Sequence, residues 1–247
     1  MNTTFGVGNV LATGFRVWFR NIIPFLVITA LFYVPLSLWT ASVAGVAATP
    51  DNVGHTFVVL LETMGLSTLA NTMVSAALTY GVVMELQGQR ASFGACIGTG
   101  IARFFPVLGV AVLATLCIWG AMLLLIIPGI IVGCMLYVSV QVAVLERPGL
   151  RGALSRSREL TRGHKAEIFG LLLVLVVLSI GLSVTARVVA GRPSGAAFDP
   201  LSLQLIINLV ASMIVGSLGA VMASVAYYFL RAEKEGTSAA ELAAIFD

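Results

Sequence analysis

Six of the 14 lysines and arginines lie within one stretch of the chain, ERPGLRGALSRSRELTRGHK, at positions 146–165. On a helix, side chains three and four positions apart are neighbours. Arg151, Arg158, Arg162 and Lys165 would therefore share one helix face. Guanidinium and ammonium groups in such a row attract phosphate oxygens. The spacing indicates a contact site for anionic lipid headgroups or for a phosphate-bearing ligand.

Two other interpretations of this basic face stay open. Lysine and arginine accumulate in the cytoplasmic loops beside membrane spans, so the face can simply record the orientation of the chain. It can also dock a cytosolic partner protein. Glu146 and Glu159, within the same stretch, argue against a clamp built for phosphate alone. We expect these two carboxylates to pair with neighbouring arginines and to hold the helix in place.

Other residue types that carry chemistry are sparse. The two histidines, His55 and His164, are predicted on opposite faces of a membrane, without an evident partner. The three cysteines are scattered, and the sequence has no HExxH, GxSxG, GxGxxG or phosphate-loop motif. Catalysis in a membrane needs a nucleophile–base pair or a metal site. We therefore expect neither a cofactor nor an enzyme activity.

Polar residues inside the apolar runs form a second group of candidates. Such groups are costly in lipid and often mark the path of a solute. The candidates are Glu62, Asn71, Gln141 and Asn208. Glu62 is expected near the outer end of its span, whereas the three amides either converge at mid-depth or only cross-link helices. They support an alternative function as a transporter or channel component for a small or lipid-like solute.

The apolar runs are long enough to cross a membrane. The chain has 247 residues, 59% hydrophobic and 10% charged, with a mean hydropathy of +1.02. A soluble fold of this length cannot bury so much apolar surface, and a helical span needs about 20 apolar residues. We predict a single all-α, polytopic membrane domain over residues 1–247. Its six spans are predicted at about 22–44, 65–85, 106–127, 130–146, 167–190 and 203–230.

One uncharged run, residues 105–145, is too long for a single span. As one helix it would extend about 60 Å, twice the hydrocarbon core. Pro128 and Gly129 lie near its middle. Proline interrupts a helix and glycine permits a left-handed backbone. We therefore predict a tight turn at these two residues.

The charges predict the orientation of the spans. With six spans and both termini on one side, 12 lysines and arginines lie on that side and only Arg187 and Arg192 on the other. Positively charged loops favour the cytoplasmic side, so both termini are predicted in the cytoplasm. The net charge of +3 then reflects orientation, and no nucleic-acid partner is expected.

A unit repeats weakly along the chain. TTFGVGNVLATGFRVWFRNIIPF from Thr3 and ASFGACIGTGIARFFPV from Ala91 share a hydroxyl-Phe-Gly start, an arginine, aromatic residues and a proline before a span. The basic stretch occupies the third such place. We predict three two-span hairpins, each preceded by a short cytoplasmic amphipathic helix. These three helices are predicted at about 5–20, 91–104 and 149–162.

The segment from IIPGIIVG to LTRGH resembles the membrane domain of the bacterial glycerophosphoryl diester phosphodiesterase family. The shared features are a Pro-Gly pair, Glu146, Gly149, an Ala-Leu-x-x-Ser motif that ends at Ser157, and Gly163. The resemblance covers about 125–175. It implies a six-span fold in the bacterial cytoplasmic (inner) membrane. We do not expect phosphodiesterase activity, because the resemblance places that chemistry in a separate soluble barrel.

These features predict a non-enzymatic integral membrane protein, a scaffold or accessory subunit whose basic cytoplasmic surface contacts anionic lipid. The expected partners are membrane lipids and either a second copy of the chain or another membrane protein. Ser212, Gly216, Ala220 and Ser224 recur every four residues in the last span. Such small residues let helices approach closely, either within the chain or between two copies.

Overall fold

The computed structural model describes residues 5–44, 53–88, 93–190 and 203–235. All regular structure in these ranges is α-helical, which confirms the predicted fold class. The helices are α1 (Val7–Arg20), α2 (Ile22–Ala44), α3 (Val53–Leu86), α4 (Phe93–Ala102), α5 (Phe104–Leu124), α6 (Ile126–Met135), α7 (Ser139–Leu145), α8 (Gly149–Leu160), α9 (Lys165–Ala190) and α10 (Leu203–Glu235).

Six helical segments in the described ranges are long and apolar enough to cross a membrane. They are Ile22–Ser42, Leu61–Leu86, Phe104–Leu124, Ile126–Leu145, Lys165–Val189 and Leu205–Glu235. Consecutive segments pack as hairpins, α2 on α3, α5 on α6 and α9 on α10. A short helix, α1, α4 or α8, precedes each hairpin. Two helices outrun the predicted spans, since α3 has 34 residues and α10 has 33.

The predicted turn at Pro128–Gly129 is wrong by three residues. The chain reverses at Leu125, whose extended backbone (φ −164°, ψ 144°) separates α5 from α6. Pro128 is the third residue of α6. The first four N–H groups of a helix have no acceptor within it, so a proline there costs no hydrogen bond. The proline therefore lies in the first turn of the helix that follows the reversal, and it does not form the reversal itself.

Gly129 allows the two helices of this hairpin to pack closely. It is buried in α6, and a Cβ there would lie 2.3 Å from the Cγ and 3.0 Å from the Cα of Met122 on α5. Real Cβ atoms do not approach so near, so only glycine fits at this distance. The Pro-Gly pair thus combines a helix start with a close helix contact.

The fourth span is interrupted within the membrane domain. Helix α6 ends at Met135 and α7 begins at Ser139. The backbone N–H of Ser139 donates to the carbonyl of Leu136 at 3.1 Å, a tighter pairing than that of an α-helix. The carbonyl of Met135 is thereby available to a donor from elsewhere.

The small residues of α10 pack within the chain. A Cβ at Gly216 would lie 2.5 Å from the phenol oxygen of Tyr33 on α2. The hydroxyl of Ser224 donates to that of Thr79 on α3 at 3.1 Å. The row predicted from the sequence therefore serves contacts of α10 with α2 and α3.

Helix α1 packs lengthwise against α10. The N–H of Phe5 donates to Glu233 at 2.7 Å, and the indole N–H of Trp18 donates to Ser217 at 3.0 Å. These partners are 16 residues apart on α10, about 24 Å of helix. Between them, a Cβ on Gly14 would lie 2.4 Å from the sulfur of Met222. The apolar face of this amphipathic helix is thus covered by protein.

Helix α4 rests on α3 through small residues. A Cβ at Gly100 would lie 3.3 Å from that of Ala77, and a Cβ at Gly81 would lie 3.2 Å from the sulfur of Cys96. Both Cys96 and Gly100 are buried. Like α1, this short helix is held by the span beside it.

Candidate functional site

Helix α8 is anchored by its inner face. Ala153, Ser157 and Leu160 are buried there. The hydroxyls of Ser157 and Thr161 both donate to the carbonyl of Met135, at 2.9 Å and 3.2 Å. That carbonyl is the one released by the interruption between α6 and α7, so the irregular span supplies the acceptor that fixes α8. Gly163, in the left-handed region at φ +97°, follows in the turn toward α9.

Helix α8 ends at Leu160, so only Arg151 and Arg158 of the predicted basic residues lie on its outer face. Arg162 lies in the following turn and Lys165 begins α9, so the prediction that all four share one helix face is wrong. Arg151, Arg158, Arg162 and Lys165 are exposed. Among the salt bridges between described residues, none involves these four side chains. We call these four residues the basic face. Their charges point away from the bundle and are not neutralised by the carboxylates that the structure describes.

Arg156 lies on the same helix but has a different role. Its Nε lies 3.0 Å from Glu146 and its Nη1 lies 3.2 Å from Glu159, and Glu235 is a third partner. Burial alone would lower the pKa of Arg156, but the charges of Glu146 and Glu159 outweigh it and raise the pKa. The predicted pairing of Glu146 and Glu159 with a neighbouring arginine is confirmed.

The partners of Arg156 extend this pairing into an ionic network that reaches α10. The phenol of Tyr227 donates to the second oxygen of Glu146 at 2.7 Å. Arg231 donates to the oxygen of Tyr227 at 3.1 Å and to Glu235 at 2.8 Å. The network therefore connects the end of α10 to Arg156 in the second half of α8 and to Glu146 just before that helix.

Two further contacts hold the same end of the bundle. Arg103, between α4 and α5, donates to the carbonyl of Val144 at 3.1 Å. Burial lowers the pKa of Arg103, and the nearby charge of Arg147 adds to the effect. The imidazole Nε2 of His164 lies 3.3 Å from Glu233, and its ring meets Phe5 edge-on. These groups act structurally, whereas the basic face is left free.

The intramembrane candidates are brought together in part. Asn71 and Gln141 both line a central cavity of about 600 Å³. Asn208 lines two smaller neighbouring cavities, of about 440 Å³ and 320 Å³, which Asn71 and Tyr33 also line. The phenol of Tyr33 donates to Asn71 at 2.5 Å. Glu62 is exposed on α3 and is not one of the residues lining these cavities.

Groups that could hold a metal are not assembled in the described part of the chain. No group of three or more His, Cys, Asp or Glu side chains in that part is arranged so that it could hold a metal ion. His164 is occupied by Glu233, and the side chain of His55 lies outside the described residues.

The sequence analysis missed three members of this end of the bundle. Tyr227, Arg231 and Glu235 were not singled out, although Arg231 and Glu235 are four residues apart and lie on one helix face. That spacing of opposite charges could have identified this ion pair from the sequence. Tyr227 lies inside an apolar run, where its pairing with the distant Glu146 has no local signature.

One curated protein is similar in sequence to part of this chain. Over 110 residues the chain is 33% identical to a UPF0259 membrane protein of Pectobacterium carotovorum subsp. carotovorum (strain PC1). The aligned part is 43% of this chain and 44% of that protein, so less than half of either is compared. No family model matches the chain, and no solved structure matches it.

The similarity supports a relationship to bacterial membrane proteins of uncharacterised role. It does not support the link to the glycerophosphoryl diester phosphodiesterase family. With the six span-length helices, it identifies the chain as a multi-pass membrane protein.

Proposed function

We propose that this protein is a non-enzymatic scaffold or accessory subunit of the bacterial cytoplasmic membrane, with the basic face contacting anionic lipid. The observation that carries the proposal is a contrast among the cations on α8 and just after it. Arg156 is neutralised by three carboxylates, whereas Arg151, Arg158, Arg162 and Lys165 are exposed and unpaired among the described residues.

The position of the basic face suits lipid phosphates. Arg162 lies in the turn before α9, and Lys165 is the first residue of that span. Leu150, at the start of α8, packs over Gly109 of α5, where a Cβ would lie 2.6 Å from its Cδ2. The face is thus adjacent to the ends of two spans, which supports a position near the headgroups. Each cation near an anionic leaflet contributes about 1 kcal/mol, so four together contribute about 4 kcal/mol.

The orientation and the scaffold role complete the proposal. The 12-to-2 division of lysine and arginine supports a cytoplasmic position of the basic face under the positive-inside rule. Helix α9 exposes much of its apolar surface, including Leu173, Val177 and Ile180. In a membrane this surface meets lipid tails or the span of a partner, either a second copy or another membrane protein.

Lipid retention tests the proposal. A variant with Arg151, Arg158 and Arg162 changed to Glu is compared with the wild type by native mass spectrometry, with phosphatidylglycerol and phosphatidylcholine. Losing three cations removes about 3 kcal/mol, or roughly a hundredfold in affinity for phosphatidylglycerol. Phosphatidylcholine retention stays the same.

The matched control changes the same three arginines to lysine. It keeps the charge and should keep the anionic lipid. Undiminished phosphatidylglycerol retention in a correctly inserted glutamate variant would overturn the lipid contact and leave the arginines as orientation signals.

A further inference from the structure

The central cavity has a polar wall at mid-span. It lies among α3, α5, α6, α7, α9 and α10, and its volume of about 600 Å³ is within the usual range of small-molecule sites. Hydroxyl and amide side chains contribute to its wall. They include Thr68, Asn71, Ser75, Thr115, Tyr137 and Gln141.

Two of these side chains each have one polar atom without a hydrogen-bond partner. Gln141 is only 2% exposed, and its amide nitrogen donates to Ser75 at 3.2 Å. Its amide oxygen is buried without a partner, and so is the phenol oxygen of Tyr137. Leaving a buried polar group unsatisfied costs about 1–3 kcal/mol. Once either side chain rotates toward the cavity, a guest hydroxyl can donate to the amide oxygen of Gln141, and the phenol of Tyr137 can donate to a guest carbonyl.

The wall is uncharged. The described residues that line this cavity include no carboxylate, ammonium, guanidinium or imidazole group. A charged headgroup would lose its hydration there without an opposite charge in return. The chemistry therefore favours a neutral polar head.

An apolar groove continues the cavity. It has a volume of about 680 Å³ between α3 and α5 and shares Thr68, Asn71 and Thr115 with the polar cavity. Leu116 and Trp119 line the groove and are exposed on the surface that faces lipid. The pairing of a polar cavity with an apolar groove suits a molecule that has one polar and one apolar end.

We propose that this cavity and groove bind an uncharged, single-chain amphiphile of the monoacylglycerol type. The ester and hydroxyl groups occupy the polar cavity, where Gln141 and Tyr137 bond them, and the acyl chain lies along the groove. The site is independent of the basic face. It assigns the chain a neutral lipid ligand in addition to anionic headgroups.

A glycine in the wall offers a direct test. A Cβ on Gly219 would meet no neighbouring side chain within 4 Å, and this residue lines the cavity. Gly219→Leu should therefore fill the cavity without displacing a helix. The matched control is Gly181→Leu on α9, which is also open and exposed and does not line the cavity.

The probe is a monoacylglycerol with a photoreactive group in its acyl chain. It is added to the full-length protein in mild detergent. We expect saturable labelling of α3 or α5, at least tenfold weaker in Gly219→Leu and unchanged in Gly181→Leu. Unlabelled monoacylglycerol should compete, and phosphatidylglycerol should not. The basic-face glutamate variant should label normally, which separates a failure here from a failure of the proposed function.

Three results would overturn the site. The first is labelling that does not saturate, as expected if the cavity holds only water. The second is equal labelling of the two leucine variants. The third is competition by phosphatidylglycerol as strong as that by monoacylglycerol. If Gly219→Leu does not elute as a monodisperse protein, the paired variant Gln141→Leu and Tyr137→Phe replaces it. It should weaken labelling at least tenfold, and unchanged labelling would likewise refute the assignment.

Discussion

At the scale of single residues, one helix shows how position decides the role of an arginine. Arg156 and Arg158 are two residues apart on α8, so they lie on different sides of it. Arg156 meets Glu146, whereas Arg158 is exposed. Both kinds of arginine were visible in the sequence, and the carboxylates beside them were correctly expected to pair. The pairing of Glu146 with Tyr227 of α10 was not expected, because these two residues are 81 positions apart in the sequence.

The Glu146–Arg156 pair should be strongly coupled. Their side chains are only 16% and 22% exposed, so removing one leaves the other charge poorly solvated. We expect Glu146→Gln and Arg156→Met each to lower the stability by about 2–3 kcal/mol. The double variant should lose clearly less than the sum, with a coupling of at least about 1 kcal/mol. The measurement is the thermal unfolding midpoint in mild detergent.

Glu159→Gln provides the control for this cycle. Glu159 contacts the same arginine at 3.2 Å but is 68% exposed, so its loss should cost less than about 1 kcal/mol. Additive effects of Glu146→Gln and Arg156→Met would show that the network does not act as a unit.

At the scale of helices, apolar run length predicted the number of spans but not their ends. The residues on both sides of the reversal at Leu125 are leucine and isoleucine, which suit either a helix or a turn in lipid. The Pro-Gly pair does lie close to the reversal, but proline fits the first turn of a helix as well as it fits a turn between helices. The interruption at 136–138 had no local signal, since its released carbonyl is satisfied by Ser157 and Thr161 of a later helix.

Helix packing in the third and fourth spans should depend on Gly129. A methyl group there meets the backbone of Met122, which a side-chain rotation cannot relieve. We expect Gly129→Ala to lower stability by about 1–3 kcal/mol, as overpacking does. Thermal aggregation in mild detergent, followed by size-exclusion chromatography, measures the change.

Gly133, one turn later on the same helix, is the matched control. A Cβ there meets nothing within 4 Å, so Gly133→Ala should leave stability unchanged or raise it slightly through helix propensity. Equal losses for the two alanine variants would contradict a close-packing role of Gly129.

At the scale of the whole molecule, the candidate sites divide along the bundle. The spacing of the basic residues predicted a surface helix, and all four side chains are exposed. It did not predict that the helix ends at Leu160, before Arg162 and Lys165. Polar residues in apolar runs predicted Asn71 and Gln141, and the fold brings both to one cavity. The cavity itself was unpredictable, since its lining comes from distant parts of the chain, on α3, α5, α6, α7, α9 and α10.

The last prediction concerns the orientation of this bundle. Single cysteines replace Ser194, between α9 and α10, or Ser238, after α10, in a variant whose own three cysteines are changed to alanine. Both positions lie outside the described residues. The 12-to-2 charge division predicts that an impermeant thiol reagent labels only position 194 on intact cells, because the positive end is cytoplasmic. Position 238 should react only after lysis, which controls for its accessibility. Labelling of position 238 on intact cells would reverse the orientation and place the basic face outside.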